Sequence, residues 1–202
     1  MKLRHLLPCA LLVIAALPRH GAAQTEVQLR NDCRLAGQIL RTGHPAPHRE
    51  WAWSVIPTCA DSAGPLLAAV WNQRSQPDLA QLWGASHRVA DARLARAVMD
   101  VLRDASRTRE VRITAARVLA THAAPNLVVL ESDLATIIGD STRTAYISID
   151  HSPVEQVAVP VTAETVREIR EVLNFVARHD GDSGVRQVAR AIARQIDIRV
   201  RS

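Results

Sequence analysis

The sequence predicts an all-α protein built as a stack of about four antiparallel helix pairs. Two segments, 97–122 and 172–196, share one succession: an amphipathic helix, a polar turn and a second amphipathic helix. Apolar residues make up 48% of the chain, yet Phe and Tyr occur once each, so the core must consist chiefly of Ala, Leu, Val and Ile. Such side chains suit close-packed helices. The 202 residues suffice for one domain of this kind.

Residues 1–23 are predicted to be a secretory signal peptide. A basic start precedes an apolar run over 6–17, and small residues lead up to Ala23. The run is too short to cross a bilayer, which takes roughly 20 apolar residues. We therefore expect cleavage after Ala23, no transmembrane segment in the mature chain, and a periplasmic or extracellular location for a single domain over 24–202.

The two cysteines of the mature chain, Cys33 and Cys59, are predicted to form a disulfide because export places them in an oxidising compartment. Cys33 lies in a predicted helix over 25–42, and Cys59 follows a second predicted helix over 48–56, whose end Pro57 marks. In an antiparallel pair, the early part of the first helix meets the end of the second. The helix pairing and the disulfide therefore support each other.

The later helices are predicted from apolar residues spaced three and four positions apart and from residues that favour helix starts. Pro65 and Pro77 suit the first turns of the third and fourth helices, and Thr108 and Thr162 suit the caps of the sixth and seventh. The sixth helix carries apolar residues on two sides, which indicates neighbours on both sides of it. The predicted spans are 64–72, 77–88, 90–105, 109–122, 162–179 and 185–196.

Residues 125–161 interrupt this pattern. Residues 144–149 and 155–161 alternate apolar and polar side chains as strands do, and 150–154 form a turn-like sequence between them. Pro160 weakens the second strand. The segment is therefore either a small β-hairpin or an irregular insertion between the sixth and seventh helices.

The two clearest helix pairs share a turn that contains Asp, then Val-Arg, then an Ala-rich helix. These residues are Asp180, Asp182, Val185-Arg186 and Val188-Ala189 in the later pair, and Asp104, Val111-Arg112 and Ala115-Ala116 in the earlier one. The pattern resembles HEAT repeats, including the short bilin-lyase-type variant, although the earlier Asp-to-Arg spacing is two residues longer. The resemblance implies a right-handed α-solenoid in which the turn Asp and the Val-Arg stabilise neighbouring repeats. It implies a protein-binding surface and no catalytic residue.

Two features are candidate partner-binding sites. Arg186, Arg190 and Arg194 recur every four residues and therefore share one side of the last helix. This row could dock an acidic partner or an anionic membrane surface, or it could be a solvated face that complements the helix dipole. Trp51 fits the core stripe of the second helix, whereas Trp53 lies about 200° around the helix from it. We expect Trp53 either as an exposed aromatic anchor or packed on the next helix pair.

A catalytic or small-molecule site is the alternative function. It would lie between the helical stack and the insertion and use His122, Asp150 and His151. Adjacent residues such as Asp150 and His151 cannot present triad geometry, because triad groups converge from distant positions, so turn formation explains them better. His44 and His48 have a metal-like spacing, but the prolines beside them prevent a helix from aligning the two rings.

The expected function is therefore that of an exported helical-repeat scaffold or protein-binding module with no catalytic activity, cofactor or metal. The sequence holds no phosphate-binding glycine loop, dinucleotide fingerprint, paired-cysteine metal motif or common hydrolase motif. Removing the signal segment takes away three of the 25 basic residues, so those left nearly balance the 20 acidic ones. A nearly neutral, exported chain argues against nucleic acid as the partner.

Overall fold

The computed structural model describes residues 20–43, 46–76, 78–125, 127–129, 133–134, 137–138 and 161–200. Over these ranges the chain is helical and contains no strand, which confirms the predicted all-α class. The eight α-helices of the described residues are α1 (His20–Thr42), α2 (Arg49–Val55), α3 (Ala63–Trp71), α4 (Leu79–Ser86), α5 (Ala92–Arg103), α6 (Arg109–Ala123), α7 (Ala163–His179) and α8 (Ser183–Val200). Three short 3-10 segments flank α2 and α3, at Ala46–His48, Ile56–Thr58 and Ala60–Ser62.

Side chains cap the starts of α5, α6 and α7. Thr108 and Thr162 each accept a hydrogen bond from the backbone amide three residues on, at 3.4 and 3.2 Å, so both predicted caps are confirmed. Asp91 caps α5 by accepting from the amides of Arg93 at 2.8 Å and Leu94 at 3.0 Å. Because these amides have no partner within their own helix, each cap stabilises its helix by about 1 kcal/mol.

The first two helices pack together, and a disulfide between Cys33 and Cys59 fastens them as predicted. The two Cα atoms lie 5.7 Å apart, within the usual range for a disulfide. Both cysteines are buried, and Cys59 follows the 3-10 turn that holds Pro57. A link between positions 26 residues apart contributes roughly 3.5 kcal/mol in the chain-entropy account.

Contacts between the helices follow a regular scheme. α5 packs on α6 and α7 on α8, as α1 does on α2, whereas α3 and α4 touch less extensively. Each odd-numbered helix also contacts the next odd-numbered helix, and each even-numbered helix contacts the next even-numbered one. A single core cluster runs through these contacts. Its largest fully buried side chains include Leu67, Leu94, Leu119, Ile169, Leu173 and Ile192.

The sixth helix occupies the centre of this packing, since it contacts α4, α5, α7 and α8. The first described residues of the predicted insertion pack beside this helix, where Leu127 and Val129 are buried. Arg117 donates from Nε to the carbonyl of Val129 at 2.8 Å, and the Thr121 hydroxyl donates to the carbonyl of Leu127 at 3.2 Å. The neighbours expected on both sides of α6 are therefore present. The two strand-like segments lie outside the described residues, apart from Val161.

A buried ion pair joins α6 to the turn that follows α7. Arg112 donates from Nη1 to Oδ1 of Asp180 at 3.1 Å, from Nη2 to Oδ2 of the same carboxylate, and from Nε to the Leu102 carbonyl at 3.0 Å. The Arg112 and Asp180 side chains are only 4% and 7% exposed. Burial lowers the pKa of Arg112, an effect that the nearby carboxylates oppose. The guanidinium nonetheless stays charged, because an arginine side chain is not deprotonated in proteins at ordinary pH.

Similar contacts link the other turns in succession. Gln73 donates from Nε2 to the Arg41 carbonyl at 3.0 Å, and Arg107 donates from Nη1 to the Gln73 carbonyl. Arg109 pairs with Asp182 at 3.3 Å. The turns after α1, α3, α5 and α7 are thus joined one to the next. We call these three contacts, together with the Arg112–Asp180 pair, the turn ladder.

Substituting Gly64 should disturb the close approach of α3 to Asp91, the residue that caps α5. A Cβ at Gly64 would lie 2.2 Å from Cγ of Asp91, whose carboxylate caps α5. Because relief of that clash requires loss of the cap or movement of a helix, we expect Gly64→Ala to lower the free energy of unfolding by about 1–3 kcal/mol. Urea denaturation measures the change.

Gly84 in α4 provides the matched control. No atom lies within 4 Å of a Cβ built at Gly84. Gly84→Ala should therefore raise the free energy of unfolding by about 0.5–1 kcal/mol, through the lower conformational entropy of Ala in the unfolded chain. Equal effects of the two substitutions would contradict the close approach at Gly64.

Breaking the buried ion pair should be costly from either side. Arg112→Met and Asp180→Asn each leave one buried charge without its partner, so each should lower the free energy of unfolding by about 3–5 kcal/mol. The double variant should lose much less than the sum of the single losses. Urea denaturation of the four proteins measures this coupling.

The exposed pair between Glu26 and Arg30 serves as the control cycle. These side chains are 70% and 73% exposed, and their ion pair measures 2.6 Å. Glu26→Gln and Arg30→Met should each change the free energy of unfolding by less than about 1 kcal/mol. Additive losses at Arg112 and Asp180 would show that the two side chains do not act as a pair.

Candidate functional site

The three arginines singled out on the last helix share one side of α8 and partly stabilise the end of α7. Arg186 donates from Nη1 to the carbonyls of Asp180 at 2.6 Å and Gly181 at 3.1 Å, and Arg190 donates from Nη2 to the Ala177 carbonyl at 3.1 Å. These oxygens lie at the negative end of the α7 dipole, so the cations stabilise it. We call Arg186, Arg190 and Arg194 the α8 arginine row.

The side of α8 that carries the α8 arginine row is partly open to solvent. Arg190 and Arg194 are exposed, and no hydrogen bond or ion pair joins Arg194 to another described residue. Ile198, one more helical step of four residues along, is 61% exposed. The nearest acidic residue along the helix, Asp197, is already paired with Arg170 at 2.9 Å. This side of α8 is therefore positively charged, with one apolar side chain at its far end.

The prediction of Trp53 as an exposed anchor is wrong. Trp53 is only 9% exposed, and its Nε1 donates to Oδ2 of Asp78 at 3.1 Å. Arg49 donates to the same carboxylate. Asp78 directly precedes α4, so Trp53 packs on the next helix pair, which is the other outcome expected for it. Trp51, expected in the core, is instead 37% exposed. Helical periodicity shows which residues share a side, but neighbouring helices decide which side is covered.

A stacked cluster on α4 and α6 was not predicted. The rings of Trp83 and His87 lie 4.7 Å apart at 21°, and His87 Nδ1 lies 3.1 Å from the Trp83 carbonyl. The Arg117 guanidinium lies over the Trp83 ring, 4.4 Å from its centroid. Burial lowers the pKa of His87, as do the charges of Arg88 and Arg117. The four-residue spacing of Trp83 and His87 signals the stack, whereas Arg117 comes from another helix and gives no sequence signal.

Of the alternative catalytic residues, His122 is buried between α4 and α6, and Asp150 and His151 lie outside the described residues. His122 is 3% exposed, and its Nε2 lies 3.0 Å from the Ser86 carbonyl. The Ser86 hydroxyl in turn accepts from Trp71 Nε1 at 2.9 Å. Burial lowers the pKa of His122, so the neutral ring donates to Ser86 and ties the two helices together. Whether His122 and His151 share a site stays a prediction.

An open groove of about 240 Å³ lies between α5 and α7. Its walls carry charges of both signs, and the closest pair across it is Arg96 and Glu168 at 4.0 Å. A charged ligand in this groove would meet like charges as well as opposite ones, so it is a poor ion site. The groove is lined by Arg96, Met99, Asp100, Arg103, Glu168 and Glu171.

Stability should fall in mildly acidic solution because of His122, which is buried, and His87, which is partly buried. The pKa values of His122 and His87 are lowered in the folded protein, so the unfolded chain takes up protons first as the pH drops below about 6.5. The stabilisation is complete above that pH and is lost as the pH falls toward the folded-state values. We expect His122→Gln to reduce the loss of unfolding free energy between about pH 7.5 and pH 5.

Two comparisons isolate this effect. Val98→Ala removes buried methyl groups from α5 and should lower stability similarly at both pH values, because both histidines remain. The lowered pKa values of Asp104 and Asp182 act in a separate range, below about pH 4. An unchanged pH dependence in His122→Gln would show that His122 is not the group that takes up the proton.

Over the described ranges, no group of three or more His, Cys, Asp or Glu side chains is placed to hold a metal ion. Among the described helices, none combines the length and apolar character needed to cross a bilayer.

The chain matches no family model, no curated protein and no solved structure.

Proposed function

We propose that the chain is an exported α-solenoid, similar to HEAT-type repeats, that acts as a non-catalytic scaffold or protein-binding module. In this proposal α1–α2, α3–α4, α5–α6 and α7–α8 are four successive repeats in a right-handed stack. The odd–odd and even–even contacts support it, because a two-layer stack requires each helix to touch its counterpart in the next pair. Repeat arrays of this kind present long surfaces suited to protein partners.

The turn ladder is the observation that carries the proposal. Equivalent turns are linked from one pair to the next by Gln73, Arg107 and Arg112. Contacts that recur at one edge of successive pairs are typical of a repeat architecture, in which each unit packs mainly on its neighbours. The Val-Arg of one pair and the turn Asp of the next meet in the Arg112–Asp180 ion pair, the role that the HEAT resemblance implies for them.

Export is the second part of the proposal. Two buried cysteines at bonding distance suit an oxidising compartment, in agreement with the predicted signal peptide. Cleavage after Ala23 would remove the first four residues of α1, which begins at His20. The buried residues through which α1 packs, from Cys33 to Leu40, would remain in place.

Secretion of the tagged chain from a bacterial host tests export. We expect the mature protein in the periplasmic or extracellular fraction, with Gln24 at its N-terminus and no free thiol. A cytoplasmic chain that keeps its first 23 residues and titrates free thiols under native conditions would contradict this part. Cys33→Ser/Cys59→Ser is the control for thiol labelling.

Binding is tested with the purified mature chain and the exported proteins of the source organism. The immobilised chain should retain a partner that is lost when one surface is altered and kept when another is altered. Charge-neutralised variants of α5 and of α8 alter two separate surfaces, and urea denaturation checks that each variant stays folded. If no exported protein is retained in a surface-dependent manner, the chain is not a binding module, and turnover of a small molecule by the purified chain would support the catalytic alternative.

A further inference from the structure

Arg112 and Arg186 occupy the same place in two successive helix pairs, directly after Val111 and Val185. On α6, Arg112 reaches the next pair and holds the Asp180 carboxylate with both terminal nitrogens. On α8, Arg186 uses only Nη1, which donates to two carbonyls of the preceding turn. Its remaining N–H groups have no acceptor among the described residues. Arg186 is thus the equivalent of Arg112 without the carboxylate.

The α8 arginine row continues along the helix from Arg186, which has no carboxylate partner among the described residues. From Arg186 to Ile198 it covers three steps of four residues, about 18 Å at the α-helical rise. The partly buried residues beside it, Gln187, Ala191 and Gln195, carry no charge. The surface therefore offers three cations in a line and one exposed apolar side chain at its end.

We infer that the α8 arginine row binds an acidic helical segment of a partner protein, which lies where a further helix pair would stack. Carboxylates spaced four residues apart on that segment would take the position toward Arg186 that Asp180 takes toward Arg112. An apolar side chain one step further along would contact Ile198. This inference rests on the proposed function, since it names the partner chemistry for one surface of the binding module.

A second copy of this chain does not fit the same surface. The turn that would meet Arg186 in head-to-tail stacking is 43–48, and it contains no Asp or Glu. On α1 itself the arginines outnumber the acidic residues, and Glu26 is already paired with Arg30. Charge complementarity therefore favours a different, acidic chain over self-association.

A membrane surface fits less well than an acidic helix. A helix that binds at a bilayer interface buries a broad apolar face beside its basic residues. The apolar face of α8 is already covered, because Val188, Ile192 and Ile196 are buried in the core. Among the described side chains of α8, Ile198 is the one large apolar residue exposed to enter lipid. The surface therefore suits a partner that binds chiefly through charge.

A designed peptide tests the inference directly. The probe is a fluorescent Ala-based helix with three Glu residues spaced four apart and a Leu four residues beyond the last. Its isomer has the same composition, with the Glu residues distributed around the helix. Fluorescence anisotropy with the full mature chain at about 50 mM salt should show that the patterned peptide binds about tenfold more tightly than its isomer. Because the contacts are exposed charges, binding should weaken at about 200 mM salt.

Matched charge variants assign the binding to one surface. Arg186→Gln/Arg190→Gln/Arg194→Gln should weaken binding of the patterned peptide about tenfold. Arg93→Gln/Arg96→Gln/Arg103→Gln removes the same charge from exposed residues of α5 and should leave binding unchanged. Since Arg186 and Arg190 also stabilise the end of α7, Arg194→Gln alone is included. It should retain full stability toward urea and still weaken binding about threefold.

Three outcomes would overturn the inference. Equal binding of both peptides, or equal losses in the two triple variants, would mean that binding depends on net charge and not on the arrangement of the arginines. Stronger, row-dependent binding to vesicles that contain phosphatidylglycerol than to the patterned peptide would assign the row to membranes. If a native partner is retained but survives the α8 substitutions, the proposed binding function stands and this surface assignment fails.

Discussion

The buried ion pair between Arg112 and Asp180 is the contact on which the packing of the last two helix pairs depends. Removing two charges from water costs several kcal/mol per ion, and only good geometry with further hydrogen bonds offsets that cost. Both conditions hold here, since the pairing is bidentate, Arg112 also donates to Leu102, and Asp180 accepts the Asp182 amide at 2.8 Å. The turns after α5 and α7 are thereby held in a single arrangement by one side chain from α6.

The same use of buried polar groups positions α4, the shortest helix of the later pairs. α4 makes few contacts with its own partner α3, and hydrogen bonds fix it instead. Ser86 links it to α3 through the Trp71 indole and to α6 through His122. The neutral state of His122 is part of this arrangement, because a charged imidazole would have to be buried without a carboxylate in contact with it.

How well the sequence predicts each feature depends on how local its physical cause is. The helices and the caps at Thr108 and Thr162 follow from periodicity and capping chemistry. The pairing of Cys33 with Cys59 follows from the two cysteines that remain once the predicted signal segment is excluded. Periodicity allows Trp53 either exposure or packing on the next helix pair, and its hydrogen bond to Asp78, 25 positions away, decides in favour of packing. Trp51, expected in the core, is exposed instead. The HEAT-like stack and the export of the chain stay predictions from sequence patterns.

By itself, the sequence determined the helical class of the described residues, the caps at which α6 and α7 begin, and the arginines along a single side of the last helix. These properties depend on residues within a few positions of each other. Only the tertiary structure decided which of two arginines in equivalent positions would be buried against a carboxylate and which would stay accessible. Arg112 and Arg186 follow the same local pattern, yet one meets Asp180 of the next pair and the other meets only carbonyls of the preceding turn. That difference depends on residues 68 positions apart, which no local pattern encodes.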